Sequence, residues 1–313
     1  MTVSTLPAAG RRARLAGYAF ALGAGALWGT TGPLSTALYK EGAALVGIGF
    51  WRVLLGIAAL AAYGALFRRD LFRIDRRGLL VVGLGGGALV ALFEVAYQFG
   101  IAGAGVAGAA ALLYTAPVMV AIFAQPLLGE RLTAARLLLA MVVMAGAALT
   151  VTGGSHAQSG AGPTSLAAGV AGGLLSAVSY AGTTLMARWA VPRYGVVKVL
   201  FYEAIGGVLL IGMVMPLAGH PPLPPGTASG WVYIAGLTLG SVLLANFCFF
   251  AGVKRIEAAP TAVAATIEPV VAALLAFALL SQRLTMWGWL GLLMVVGGVA
   301  AGYWREAFGT DRG

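Results

Sequence analysis

The chain has 313 residues, of which 60% are hydrophobic and 10% are charged, and its formal net charge is +10. So few charges, with a mean hydropathy of +0.92, exclude an ordinary water-soluble domain and predict a protein whose solvent is lipid. The basic residues lie in short segments between apolar runs, which is typical of membrane topology signals and not of nucleic-acid binding. The single cysteine, Cys248, and two histidines far apart in the chain predict no disulfide, metal or cofactor site.

Ten apolar runs of about 20 residues follow one another along the chain. A helix that crosses a bilayer needs about 20 mostly apolar residues. We therefore predict an all-α integral membrane protein with ten transmembrane helices, at approximately residues 15–38, 43–67, 78–101, 106–128, 134–153, 165–187, 197–218, 229–251, 258–280 and 286–304. Three arginines precede the first run, but it has no small-x-small cleavage site, so we interpret it as a retained helix.

The Lys and Arg residues in the connections predict the orientation. Segment 68–77 carries five arginines and is expected to be cytoplasmic. Connections 154–164 and 219–228 contain no Lys or Arg and are expected outside. Counting spans from segment 68–77 places both termini in the cytoplasm of a bacterial inner (plasma) membrane, together with the basic connections that contain Arg131, Arg188 and Lys254.

Residues 94–148 repeat 152 positions later without a gap, so that Pro117 aligns with Pro269 and 16 of 55 pairs are identical. Five spans per half is an odd number, so the second half must enter the membrane from the opposite side. We predict two inverted five-helix repeats, residues 1–153 and 165–313, joined by an external linker at 154–164. Such a repeat is typical of secondary transporters, whose site lies where the halves meet.

Two other classes of protein find little support in the chain. It has no G-x-x-x-x-G-K-[ST] phosphate loop and no attached soluble domain, so an ATP-driven pump with its own nucleotide domain is not expected. No nucleophile–base pair or metal-ligand set stands out, so we predict no enzyme and no catalytic residues.

Several short motifs together resemble the EamA-type family of the drug/metabolite transporter superfamily. They are Trp28-Gly29, Arg52, Ala116-Pro117-Val118, Leu128-Gly129-Glu130-Arg131-Leu132, Glu268-Pro269-Val270 and Arg283-Leu284. The resemblance covers nearly the whole chain; the chain departs from the pattern at Gln282, where the second copy usually has Glu, and at Ala116. It implies ten helices, cytoplasmic termini and export of small metabolites, with neutral and aromatic amino acids among the family's substrates.

Symmetry-related helices carry aromatic and hydroxyl residues on one face. In the first span Trp28 and Thr31 are one turn apart, and they align with Tyr180 and Thr183 of the sixth span, beside Ser179. The pattern predicts a substrate-binding wall that stacks on the substrate and offers hydrogen bonds. The alternative is that the hydroxyls bond helix backbones and the aromatic rings are interfacial anchors.

Polar residues on the third span are a second candidate. Glu94, Tyr97 and Gln98 share a face, and Glu94 aligns with Asn246 in the eighth span. A carboxylate inside a membrane usually faces the bundle interior or water. Glu94 is therefore predicted to bind an amine or a proton; the alternative is a protonated Glu in a helix–helix hydrogen bond. Asn246 is predicted to line the pathway or to join helices.

The aligned prolines are predicted to kink their spans and to act as hinges, since each removes a backbone donor; the alternative is a static kink. Tyr114, one turn before Pro117, and its mate Thr266 are expected to reach the cavity. Glu268, beside Pro269, is predicted to bind a substrate amine or to couple a proton.

Three charged residues are predicted to lie away from the central site. Arg52 and Glu203 are at similar depths from opposite ends of their spans, and snorkelling or a gating pair is favoured for both. Glu130 is expected to make a local ion pair with Arg131 or to contact the start of the fifth span.

Together these features predict an exporter that works by alternating access, as a monomer or homodimer in the lipid bilayer. A neutral or aromatic amino acid, or a similar amphipathic metabolite, is favoured as substrate, because no paired Lys/Arg cluster lies mid-span for a phosphate-bearing one. The alternatives are efflux of cationic drugs, with Glu94 or Glu268 as counter-charge, and a passive facilitator or channel.

Overall fold

The structure is a computed structural model, and it describes residues 11–31, 34, 38, 41–130, 132–152, 165–280 and 285–308. These residues are almost entirely helical and contain no β-strand. Seven of their helical stretches are long and apolar enough to cross a membrane, and two shorter apolar helices accompany them. The predicted all-α membrane class is therefore confirmed. The linker predicted at 154–164 lies outside the described residues.

The helices are labelled in chain order as α1 (Arg11–Gly29), α2 (Leu45–Phe67), α3 (Gly87–Leu113), α4 (Ala116–Leu128), α5 (Ala134–Thr152), α6 (Leu166–Tyr194), α7 (Val196–Leu217), α8 (Ala228–Leu237), α9 (Ala245–Arg255), α10 (Ala258–Ala265), α11 (Glu268–Leu280) and α12 (Met286–Phe308). A 3₁₀ turn spans Arg69–Phe72, the helical turn Arg76–Gly78 and the π-helical segment Leu79–Gly86 lead into α3, and a second π-helical segment, Thr238–Leu244, joins α8 to α9.

Local chemistry explains several helix ends. The hydroxyls of Ser165 and Thr227 accept hydrogen bonds from the first turns of α6 and α8, as N-cap residues do. Gly129 and Gly195, which follow α4 and α6, have φ of 71° and 81°, a conformation that glycine adopts without a Cβ clash.

Helix α3 reverses direction. A methyl group on Gly100 would lie 3.2 Å from the Cβ of Ala109, whereas nine residues of straight helix span roughly 13 Å. The backbone therefore folds back between these residues, as expected from the two predicted spans 78–101 and 106–128.

Equivalent helices of the two repeats pack in opposite directions. A Cβ on Gly146 of α5 would meet Val295 N of α12, and a Cβ on Gly298 of α12 would meet Val143 of α5. Gly146 aligns with Gly298 and Val143 with Val295 under the 152-residue repeat, so the two contacts are related by a two-fold axis. Because residue numbers rise along α5 as they fall along α12, the equivalent helices are antiparallel, as inverted repeats require.

The α5–α12 contact provides a stability test with an internal control. A Cβ on Gly291 would lie 2.5 Å from backbone atoms of Gly146 and Thr150, whereas a Cβ on Gly297 of the same helix would meet nothing within 4 Å. We expect Gly291→Ala to lower the free energy of unfolding by about 1–3 kcal/mol, as overpacking does, and Gly297→Ala to leave it unchanged or higher. Thermal unfolding in detergent measures both; equal midpoints would contradict this packing.

The predicted proline kinks are helix breaks in the structure. Helix α3 ends before Tyr114 and α4 starts at Ala116, while α10 ends before Thr266 and α11 starts at Glu268. Pro117 and Pro269 each lie in the first turn of a new helix, where the missing N–H removes no intrahelical hydrogen bond. The repeat therefore places a broken helix at equivalent positions in both halves.

Candidate functional site

The two helix breaks meet at a small cavity. It is lined by four predicted site residues, the predicted hinge Pro117 and three apolar neighbours, namely Tyr114, Tyr180, Thr266, Glu268, Pro117, Leu113, Ala116 and Ala265. Its volume is about 20 Å³, which is room for about one water molecule. Irregular backbone is tolerated inside a membrane where it lines such a cavity.

Glu268 is the one acid among these lining residues. It lies in the first turn of α11, where the helix dipole favours a negative charge. Among the described residues, none makes a hydrogen bond or ion pair with its carboxylate, although Tyr114 and Tyr180 are close enough to interact with it electrostatically. The equivalent position on α4 is Ala116, so the cavity is chemically asymmetric.

An aromatic cluster adjoins the cavity through Tyr180. The Trp28 ring centroid is 5.3 Å from that of Phe249 and 6.0 Å from that of Tyr180, and the Tyr180 and Phe249 centroids are 5.6 Å apart. Trp28 Nε1 donates to the Ser241 carbonyl at 3.1 Å. The predicted pair of Trp28 and Tyr180 is thus in contact, with only Tyr180 lining the cavity.

Phe249 completes this cluster and was missed in the sequence analysis. It aligns with Tyr97 under the 152-residue repeat. The 152-residue offset from the predicted site residue Tyr97 therefore points to Phe249 from the sequence.

Several hydroxyl groups of the predicted wall bond to helix backbone. Ser179 is buried and donates to the carbonyl of Leu89 on α3. Thr266 Oγ1, directly after α10, donates to the Ala262 carbonyl of that helix at 2.9 Å. Thr31 and Thr183 are half-buried and are not among the residues that line the cavity.

The predicted acid on α3 has a charged partner. Glu94 Oε1 accepts a hydrogen bond from Arg52 Nη2 at 2.6 Å, and both side chains are largely buried. The other carboxylate oxygen of Glu94 lies close to Gly49: a Cβ atom added to that glycine would be 2.7 Å from the oxygen. This short, charge-assisted contact gives Arg52 a partner within the first repeat, and Glu94 is not among the residues that line the cavity.

Two of the remaining polar residues of this group contact residues close to them in sequence. The Tyr97 ring stacks on Phe93, with centroids 5.6 Å apart. Asn246 Nδ2 donates to the carbonyls of Ser241 and Val242, at 3.2 and 2.9 Å. The side chain of Gln98 lies outside the described residues.

A buried polar network joins the repeats at the end of the bundle that we predict to be cytoplasmic. Glu130, only 8% exposed, accepts from Arg188 Nε at 3.1 Å and from the Ala258 backbone N–H at 2.9 and 3.1 Å. Arg188 also donates to the Val253 carbonyl at 2.7 Å. A second pair, Arg136 and Glu257, lies beside it.

Glu130 thus bridges the two repeats, and Arg131, its predicted local partner, lies outside the described residues. Burial raises the pKa of the Glu130 carboxyl, and the Ala258 N–H and Arg188 oppose that shift.

The described residues hold no cluster of His, Cys, Asp or Glu suited to a metal ion. What they bring together is a cavity with one acid and two phenol groups, an adjoining aromatic cluster, and ionic contacts toward both ends of the bundle. Such an arrangement places one carboxyl group beside aromatic and hydroxyl-bearing side chains.

Comparisons with known proteins agree with this architecture. The profile of the EamA-like transporter family matches residues 15–152 and 167–303, and the two matches begin 152 positions apart, like the repeat. An uncharacterized transporter from Archaeoglobus fulgidus is 27% identical over 88% of this chain and 92% of its own length. The pseudopaline exporter of Pseudomonas aeruginosa is 30% identical over 66% of this chain and 69% of its own length.

The fold also matches a solved crystal structure, with a TM-score of 0.70 at 22% sequence identity, over 93% of this chain and 97% of that one. The predicted resemblance is confirmed by two family matches that together cover most of the chain. This multi-pass membrane protein belongs to the EamA-like transporter family.

Proposed function

We propose that the protein is a secondary transporter that exports neutral and aromatic amino acids, or similar amphipathic metabolites, by alternating access. It has ten transmembrane helices in two inverted repeats, lies in the bacterial inner membrane and keeps both termini in the cytoplasm. The observation that carries the substrate class is the cavity at the two helix breaks, with Glu268, Tyr114 and Tyr180 in its lining.

The cavity offers a separate feature for each part of an amino acid. The Glu268 carboxylate complements the ammonium group. The first turn of α4 carries no acidic residue, so no negative side chain there opposes binding of the substrate carboxylate near the positive helix end. Tyr180, with Trp28 and Phe249 behind it, complements an aromatic or apolar side chain.

Alternating access explains why the cavity holds only about one water. An amino acid needs a larger space, so the structure corresponds to a closed state in which the halves have moved together. The Glu130–Arg188 network joins the two halves at the cytoplasmic end, whereas the Arg52–Glu94 pair lies within the first half, toward the opposite end. Motion about the breaks at Pro117 and Pro269 would open each end in turn.

The exporter direction is supported by the relative named as a pseudopaline exporter. A second candidate, efflux of cationic drugs, is favoured by one observation: the cavity lining contains an acid and no Lys or Arg. The two functions differ in the need for a substrate carboxylate, so tryptophan and tryptamine, which lacks the carboxylate, discriminate between them.

Transport into proteoliposomes tests the proposal. We expect radiolabelled tryptophan to enter and to be displaced by other neutral amino acids better than by tryptamine. Trp28→Ala and Tyr180→Ala should each raise KM about tenfold, because an aromatic contact and its buried surface contribute about 1–2 kcal/mol. Trp287→Ala, on the exposed surface of α12, serves as the control. Unchanged KM in both cavity-side variants would refute the aromatic wall, and a preference for tryptamine would favour drug efflux.

A further inference from the structure

A second cavity lies at the basic end of the bundle, between the end of α2, the start of α7 and α9. Its volume is about 250 Å³, more than ten times that of the central cavity at about 20 Å³. Tyr63 and Arg68 line it from the α2 side, residues 195–198 from the start of α7, and Phe247 from α9. None of these residues takes part in the proposed transport site.

The charged residues of this cavity leave an excess of positive charge. Arg68 Nε and Nη2 donate to the Asp70 carboxylate at 3.0 and 3.3 Å. Lys198 Nζ donates to the Arg73 carbonyl at 2.9 Å and is 3.9 Å from Asp70. Two cations thus share one carboxylate, and the cavity borders segment 68–77 with its five arginines.

The backbone adds to this positive potential. Helix α7 begins after Gly195, which has no side chain to cap it. The first N–H groups of a helix lack intrahelical acceptors, and those of Val196 and Val197 belong to residues that line the cavity. Such N–H groups add to the attraction that Arg68 and Lys198 exert on a phosphate.

The deeper part of the cavity is lined by partly exposed aromatic rings. Tyr63 and Phe247 are 41% and 39% exposed. Tyr63 is five residues before Arg68 on α2, which places it roughly 7 Å deeper along the helix. Cations at the helix ends with aromatic rings further in match a phospholipid, whose phosphate lies at the surface and whose acyl chains lie below it.

Two other nearby cations contact an aromatic ring and do not line the cavity. The guanidinium groups of Arg77 and Arg193 lie 5.1 and 4.5 Å from the centroid of the Trp189 ring, and neither residue lines the cavity.

We propose that this cavity binds an anionic phospholipid, with the phosphate held by Arg68, Lys198 and the first N–H groups of α7, and an acyl chain against Tyr63 and Phe247. When no lipid is bound, the Asp70 carboxylate interacts with Arg68 and Lys198, and it competes with the phosphate for them. Lipid binding therefore tightens when Asp70 loses its charge.

Native mass spectrometry and thermal unfolding of the full chain in detergent test the site, with phosphatidylglycerol compared with phosphatidylcholine. We expect phosphatidylglycerol to be retained and to raise the unfolding midpoint more than phosphatidylcholine does. Arg68→Gln with Lys198→Gln should reduce the apparent affinity at least tenfold, and Asp70→Asn should increase it several-fold. Arg69→Gln, in the same segment but outside the cavity lining, should change little.

Three results of the lipid-binding measurements would overturn the proposal. They are equal binding of the two lipids by the native chain, an equal loss of affinity in Arg69→Gln, and weaker binding in Asp70→Asn. An equal stabilisation by inorganic phosphate at the same concentration would assign the cavity to a soluble anion and also overturn the lipid. The Asp70→Asn arm and the lipid comparison on the native chain remain informative if the double variant does not fold.

Discussion

Glu268→Gln is expected to slow transport of a neutral amino acid by roughly 10- to 100-fold while leaving the protein folded. The substitution keeps the shape of the side chain but removes the one negative charge in the cavity lining. A hydrogen bond to a charged group contributes about 1.5–3 kcal/mol, and the ammonium group of the substrate would lose that interaction. Initial rates in proteoliposomes, with thermal unfolding of the same samples, measure the effect.

Glu203→Gln is the matched control for the cavity acid. Glu203 is also buried in the bundle, but it lies against Gly86 and does not line the cavity. We expect its transport rate to stay within about twofold of the native rate. If Glu268→Gln transported at the native rate and kept its full response to a pH gradient, Glu268 would serve neither as amine site nor as proton site.

Breaking the Glu130–Arg188 pair is expected to give the largest loss of stability. Both side chains are largely buried, at 7% and 14% exposure, and removing one partner of a buried pair costs about 3–5 kcal/mol because the other charge is left uncompensated. Glu130→Ala should therefore lower the unfolding midpoint strongly. Chemical or thermal unfolding in detergent measures this change.

Two further variants test whether the loss of stability comes from the uncompensated charge of the Glu130–Arg188 pair. Glu130→Met combined with Arg188→Met should recover much of the stability, because both buried charges are then gone. Arg136→Gln should cost at most about 1 kcal/mol, since its pair with Glu257 is more exposed, at 27% and 35%. A double variant less stable than Glu130→Ala would show that the pair does not act through uncompensated charge.

Much of the candidate site could be predicted because the repeat aligns equivalent positions. Pro117 and Pro269 locate the two breaks, and Tyr114, Thr266 and Glu268 lie within three residues of them in the sequence. Because the two breaks lie at one cavity, Tyr114, Thr266 and Glu268 line it together. The sequence did not reveal that each proline begins a new helix, because the pattern around a proline is the same for a kinked helix and for a helix that starts anew.

Partners across the bundle were harder to predict. Helical periodicity places Glu94 on a face of α3, but it carries no information on which neighbouring helix packs there, so the contact with Arg52 emerged only in the structure. Similarly, Ser241 accepts hydrogen bonds from both Trp28 and Asn246 through its carbonyl, within a π-helical segment that hydropathy does not reveal. The Glu130–Arg188 contact joins residues 58 positions apart in sequence.

Alternating access to the central cavity is tested most directly by labelling a cysteine inside it. In a Cys248→Ser background, Thr266→Cys places one thiol in the cavity lining, and a membrane-impermeant maleimide is added to either face of oriented vesicles. We predict that each molecule can be labelled from one face at a time. Substrate changes the ratio of the labelling rates from the two faces. Glu130→Ala raises the labelling rate from the cytoplasmic face and lowers it from the other face. Labelling that is equally fast from both faces and insensitive to substrate and to Glu130→Ala would indicate a channel and contradict the account.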